Sequence, residues 1–209
     1  LGLATEAKSK INPVSVKVLE QTQQAARQNG FNVIVVDTPA QALEKLVGLI
    51  SPGAEVMTGS STTLEEIGFT DVLKSNPKGW KSLHRAISAE SDAAKRAELR
   101  RKSVTAEFFV SSVNAITQQG ELLACDASGS RVGAFPFAAK NLVIVSGVNK
   151  IVPTLQDAFD RLKNTVFPLE DARARKAYGM GSSMNKTVIL SREMPGRVTL
   201  ILVKQALGY

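Results

Sequence analysis

Short runs of β-branched and apolar residues alternate with segments whose apolar positions recur at helical spacing, and this alternation organises the first third of the chain. Residues 14–28 are polar but helix-favouring, and Asn29-Gly30 supplies a stop. The continuous run 31–36 reads as a buried strand. Thr38-Pro39-Ala40-Gln41 then combines a capping threonine, proline at the first helical position and glutamine at the third. Leu43, Leu46, Val47 and Ile50 follow at the spacing of one helix face and should meet the core. Ser51-Pro52-Gly53 ends that helix, and 54–57 is the next strand. A strand–helix–strand rhythm of this kind predicts an α/β fold, with a mainly parallel sheet flanked by helices.

The pattern loosens from about residue 69 to 102. Phe69 to Leu73 continue helical spacing, and Asn76-Pro77-Lys78-Gly79 breaks it. Trp80 and His84 are expected on a mobile connection, and Ser91 or Asp92 can cap a charged helix that runs to Arg101. Strands are then predicted at 107–112 and 121–125 around a turn at Gln118-Gln119-Gly120, a β-hairpin inserted in the α/β order. A second turn at 126–130 leads into a third extended piece at 131–137. Residues 141–147 are the clearest buried strand, and Leu155, Ala158, Phe159 and Leu162 mark an amphipathic crossover helix. Residues 169–186 read as a polar helix and loop, and 187–190 and 197–203 as strands connected through Met194-Pro195-Gly196.

Composition narrows the class. With 44% hydrophobic and 22% charged residues in 209, the balance is that of a globular protein. No repeat or linker stands out, so one domain over 1–209 is expected. No apolar run reaches the ~18 residues of a membrane span. A cytoplasmic location is the expectation, although a start at Leu1 rather than Met leaves room for an upstream targeting segment. Cys125 is the only cysteine and His84 the only histidine, which removes internal disulfides, multi-cysteine clusters and most zinc sites, so no metal ligands are assigned.

The net charge of +7 suits anionic partners. Part of the excess lies in 81–102, read here as a solvated helical face. Aromatic residues are only 5% and no recognition motif accompanies the charge, so nucleic acid ranks last among partners.

Candidate chemistry gathers after predicted strands. Gly59-Ser60-Ser61-Thr62-Thr63 follows one strand and precedes a helix, where close backbone approach, hydroxyl donors and free helix-start amides favour an anion. Thr62 and Glu65 also fit a capping box, which needs no ligand, and the sequence leaves both readings open. The loop has neither the lysine of a Walker motif nor the spacing of a dinucleotide fingerprint. Glu65 and Glu66 point about 100° apart on a helix, so only one can enter a cleft, and Glu65 is assigned the acid–base work. Asn114 is placed to orient a polar group, and Ser128 and Arg131 crowd the second turn. Arg131 there either clamps a carboxylate or phosphate or fixes the turn by a salt bridge. Gly147, Asn149 and Lys150 lie just past the strongest strand. Lys150 is assigned to stabilise negative charge or act as an amine, against the ordinary reading of a surface lysine.

Taken in order, the stretches 59–68, 112–120, 126–132 and 145–152 resemble the lactate-utilization domain family, and the similarity runs nearly to Leu207-Gly208-Tyr209. The resemblance implies a fold similar to ribose-5-phosphate isomerase, glucosamine-6-phosphate deaminase, the CoA transferases and formyltetrahydrofolate cyclo-ligase. It implies that the 59–63 loop lines a ligand site. It further implies a link to lactate or related organic-acid use, in which some members work beside iron–sulfur partner proteins. Certain short relatives carry a cysteine-rich insertion late in the chain. The corresponding residues 178–186 contain no cysteine, so no iron–sulfur cluster is expected within this chain and the cofactor stays unassigned. A protein that binds a small carboxylate or phosphorylated metabolite is the first expectation, with catalysis left open. The alternative is a non-catalytic subunit or scaffold for an iron–sulfur oxidoreductase. A homo-oligomer is compatible with either.

Overall fold

The computed structural model describes residues 14–209. Helix α1 (Val16–Gln28) begins where the Ser15 hydroxyl accepts from the Val18 amide, and it ends at Asn29. Strand β1 (Asn32–Val36) sends Val33 and Val35 to one apolar layer and Ile34 and Val36 to another, the period-two alternation of a strand buried on both faces. Helix α2 (Pro39–Leu49) starts with the full capping box expected at Thr38 and Gln41. Its Leu46 and the adjoining Ile50 are fully buried, while Leu43 and Val47 pack half-buried beside them.

After β2 (Glu55–Thr58) come two short helices, α3 (Thr62–Glu66) and α4 (Phe69–Ser75), separated at Gly68. Strand β3 (Lys81–Ser82), α5 (Leu83–Ala89) and α6 (Ala93–Lys102) follow. Trp80 is not on a mobile connection. It is 3% exposed, its ring lies 6.0 Å from that of Phe69, and its indole N–H donates to the Ser51 carbonyl at 3.0 Å. That bond satisfies the polar edge of a large ring, which is what lets tryptophan enter a core.

Strands β4 (Phe108–Ser111), β5 (Ala115–Thr117), β6 (Leu122–Asp126), β7 (Asn141–Gly147) and β8 (Ile151–Val152) lead into α7 (Leu155–Arg161) and α8 (Phe167–Tyr178). Strands β9 (Lys186–Leu190) and β10 (Val198–Val203) complete the order. The hairpin β5–β6 turns at 118–120 as expected. Residues 131–137 are not extended. The Asp126 carboxylate accepts the amides of both Arg131 and Val132, which bends the chain into turns that end in a wide helical turn over Ala134–Ala138.

Six strands form an all-parallel sheet in the order β1-β10-β7-β4-β2-β3. Four more form a mixed sheet, β8-β5-β6-β9. On one face of the large sheet lie α2, α3 and α4 with Trp80; on the other lie α1, α5 and the small sheet. The far face of the small sheet, through Ala115 and Leu123, is covered by Ala158, Leu162 and Val166. Phe159 is left 41% exposed, so the buried stripe of α7 is narrower than its spacing predicts.

The strand order positions the site. From β2 the chain moves outward to its neighbour β3, whereas from β4 it moves the opposite way to β7. The connections therefore diverge between β2 and β4, and a crevice opens beyond the carboxyl ends of those strands, where open α/β sheets place ligands.

Candidate functional site

A cleft of about 670 Å³ occupies that crevice, lined by the 58–63 loop after β2, by Ser112, Val113 and Asn114 after β4, and by Lys150. The 145–209 part of the chain adds α8 residues and Tyr209. The cap of α3 is Ser61 rather than Thr62, with the Ser61 hydroxyl accepting from Leu64 N at 3.3 Å. Thr63 is turned inward and accepts from Lys150 Nζ at 3.0 Å, and Thr62 lines the cleft with Tyr209. Ser60 is exposed and lies 3.4 Å from the Tyr178 hydroxyl. The loop hydroxyls are thus largely engaged within the protein. The amides of Ser60 and Thr62 have no acceptor among the described residues, and both residues line the cleft. At five residues, α3 is too short for its dipole to add much. Gly59 lines the cleft, with the stem of Arg131 beside its Cα; an added Cβ would stand 3.5 Å from Arg131 Cδ, an ordinary contact.

Lys150 is no surface lysine. It is 3% exposed at the cleft floor, where Nζ donates to Thr63 Oγ1 at 3.0 Å, Ser112 Oγ at 3.0 Å and the Val113 carbonyl at 3.1 Å. Three engaged N–H directions suit a fixed positive charge and leave no open approach for a nucleophilic amine.

Gly147 and Asn149 lie outside the cleft lining and act on it indirectly. Asn149 Oδ1 accepts from Leu207 N at 3.0 Å, and its amide group reaches the carbonyls of Leu207 and Gly208 at 3.4 Å. Gly208 (φ +59°) packs against Thr63 and Lys150, and its N–H donates to Glu66 Oε2 at 2.8 Å. This lacing carries Tyr209 into the cleft. A Cβ at Gly147 would overlap Asn149 Oδ1 and come within 2.5 Å of both Gln205 O and Leu207 N. Gly147→Ala is accordingly expected to lower unfolding free energy by roughly 1–3 kcal/mol in urea titration. Retained wild-type stability would show that the 205–208 backbone is not held there.

Asn114 and Arg131 line the cleft but serve its walls. Asn114 Oδ1 accepts from Cys125 N at 2.7 Å and from Arg131 Nη2 at 3.3 Å. Arg131 pairs with Asp126 at 2.8 Å and donates to the carbonyls of Ser112 at 3.0 Å and Cys125 at 2.7 Å. The turn-fixing reading of Arg131 therefore prevails over the ligand clamp. Ser128 is exposed at the cleft edge, 3.0 Å from the Ser130 hydroxyl. Glu65 is exposed and outside the lining, so it cannot do the acid–base work assigned to it.

A network that the sequence analysis missed occupies another part of the lining. Tyr209 Oη donates to Glu170 Oε2 at 2.5 Å, and Arg173 grips the same carboxylate at 2.7 and 2.8 Å. The Arg173 guanidinium also sits 5.6 Å from the centre of the Tyr178 ring. Burial pushes Glu170 toward higher pKa, but the bonds from Arg173 and Tyr209 outweigh it and hold the carboxyl below its ordinary value. Burial and the neighbouring Glu170 push Tyr209 up to about 12, while hydrogen bonds from Ser60 and Arg173 lower Tyr178. The chain has two tyrosines, so absorbance at 295 nm should rise in two steps, one below pH 10 and one near pH 12. Tyr209→Phe should delete the upper step and Tyr178→Phe the lower; a single step near 10 would contradict the network. An i, i+3 Glu170–Arg173 pair on a polar helix was the one signal within the sequence, and such pairs are common on helix surfaces.

His84, Arg96 and Arg100 stand on the remaining side of the mouth. The lining thus carries Arg96, Arg100, Arg131, Lys150 and Arg173 against Asp126 and Glu170. Among the described residues no three His, Cys, Asp or Glu side chains converge as a metal-binding group, and no helix is long and apolar enough to cross a membrane.

The profile of the LUD domain matches residues 19–203. No curated protein matches. Among solved structures, a DUF162 family protein from Deinococcus radiodurans is similar with a TM-score of 0.56 at 12% identity, over 91% of this chain and 99% of that one. At that identity the likeness speaks for the fold alone.

Proposed function

The chain belongs to the LUD domain family, and on that premise we propose that its cleft binds a small anionic metabolite, a carboxylate or phosphorylated compound of organic-acid use. The observation that carries this reading is the charge of the wall, five Lys or Arg against two Asp or Glu, around the free amides of the 60–63 loop. Amides held by the fold and a buried ammonium need no reorganisation to receive an anion. Lys150 supplies charge at the floor. Glu170, held ionised by Arg173 and Tyr209, fixes its own part of the lining rather than replacing Glu65 as an acid or base. A thermal-shift screen with phosphate, sugar phosphates, lactate, CoA and folates should raise the melting temperature for at least one compound. The shift should shrink in Ser60→Pro, which removes a loop amide. No shift across the panel would overturn the reading.

A second reading, a subunit that docks on an iron–sulfur oxidoreductase, draws on Phe137 and Met194, which are 87% and 80% exposed. They adjoin in sequence the residues that Arg197 ties together, the Phe135 and Pro136 carbonyls and the Glu193 carboxylate. Large apolar side chains this exposed are unusual outside interaction sites when they cluster. Affinity purification from the source cell should return such a partner with the wild type and lose it with Phe137→Ser/Met194→Ser; equal recovery would remove this reading.

A further inference from the structure

We propose that the cleft mouth holds a second anion subsite, built by His84, Arg96 and Arg100, and that the ligand is a small metabolite with two anionic groups. This rests on the binding reading above and specifies its ligand. One anionic group would sit at the 60–63 amides over Lys150, the other between α5 and α6.

The cationic excess of the wall comes from this side. Arg131 is spent on Asp126 and Arg173 on Glu170, each at hydrogen-bonding distance. Arg96 and Arg100 form no ion pair among the described residues. Their hydrogen bonds go to neutral oxygens, Arg96 Nη1 to the Glu90 carbonyl at 3.0 Å and Arg100 Nη2 to Ser130 Oγ at 3.4 Å. The second of these reaches across the mouth to the turn that Asp126 and Arg131 hold. Arg100 and Ser130 both line the cleft.

Helix stability does not account for the pair. Helix α6 has no buried residue, so packing does not select its side chains. Arg100, with Arg101 and Lys102, lies in the last turn, where cations favour the dipole, but Arg96 lies a turn earlier. Like charges at i and i+4 destabilise a helix unless something of opposite sign lies over them. On α5, His84 and Ser88 line the same mouth at i and i+4 while Ile87 anchors the helix to the core. Two guanidinium forks, an imidazole and hydroxyls suit a phosphoryl or carboxylate group, which arginine grips through paired N–H donors.

A matched pair of probes tests this: fructose 6-phosphate and fructose 1,6-bisphosphate, with inorganic phosphate as the single-anion reference, each titrated calorimetrically. The wild type should bind the bisphosphate at least about tenfold more tightly than the monophosphate, as one added charge-assisted arginine contact provides. In R96Q/R100Q the advantage should vanish while monophosphate affinity stays unchanged. R101Q, on the same helix but outside the lining, should behave as wild type. A bisphosphate advantage absent from the wild type, or retained in R96Q/R100Q, overturns the subsite and leaves the first anion site standing. Failure of all three probes, phosphate included, overturns the subsite, and the first anion site then stands or falls on the carboxylates of the thermal-shift screen. Binding of a fluorescent single-stranded oligonucleotide that R96Q/R100Q abolishes, with no bisphosphate advantage, would assign these arginines to nucleic acid instead.

Discussion

Asp126→Ala is expected to destabilise the protein by about 3–5 kcal/mol, the cost of leaving a largely buried charge without its partner. The Asp126 and Arg131 side chains are 11% and 15% exposed. Besides the Arg131 guanidinium, the carboxylate accepts the amides of Arg131 and Val132 at 2.9 Å each, so three donors lose their acceptor at once. The guanidinium meanwhile ties Ser112, after β4, to Cys125, in β6. Arg131→Met should cost less than Asp126→Ala, because the remaining carboxylate keeps two amide donors. The double variant should be more stable than the sum of the single losses, by a coupling of roughly 0.5–3 kcal/mol. Urea denaturation followed by circular dichroism measures all three. If Arg131 instead served chiefly as a ligand clamp, Arg131→Met would abolish anion binding with stability intact, and the turn-fixing role would fall.

The fold was legible in the sequence wherever a local signal and the tertiary structure agree. The β-branched runs at 31–36 and 141–147 became β1 and β7, and the Thr38 capping box formed because all its atoms lie within four residues. The hairpin at 118–120 is equally local. The misreadings share a different cause. Trp80 depends on an acceptor at Ser51 and on Phe69, and residues 131–137 were bent by a carboxylate five residues back. Neither partner is visible in a hydrophobic pattern.

The site divides the same way. The 59–63 loop could be found because a strand, small residues and a helix start are contiguous, and the strand order places them where ligands bind. What Lys150 does depends on Thr63 and Ser112, 87 and 38 residues away. Tyr209 reaches Glu170 only because Gly147 and Asn149 accept and anchor the 207–208 backbone. The residues assigned as ligand contacts at 147 and 149 lie outside the cleft lining and serve as supports. Arg96 and Arg100 were read as part of a solvated face, since a helix without an apolar stripe has no pattern to say which side meets the protein.

Lys150→Met should reduce affinity for any anion the cleft binds by about tenfold, because the buried charge acts through space while its three N–H groups stay on Thr63, Ser112 and Val113. Methionine retains the length and apolar stem of lysine, so loss of packing is small and the change isolates Nζ. Stability should fall too, by roughly 1–3 kcal/mol, because Thr63 Oγ1, Ser112 Oγ and the Val113 carbonyl lose a buried donor. The two effects separate by temperature: affinity is measured calorimetrically well below the melting transition, where the variant is folded. Glu65→Gln, at an exposed position outside the cleft, should leave both quantities at wild-type values. Wild-type affinity in Lys150→Met would mean that the ammonium only knits the 63, 112 and 113 backbone together. The anion would then owe its binding to the loop amides and the arginines of α6, and Arg96→Gln/Arg100→Gln rather than Lys150→Met would carry the larger loss.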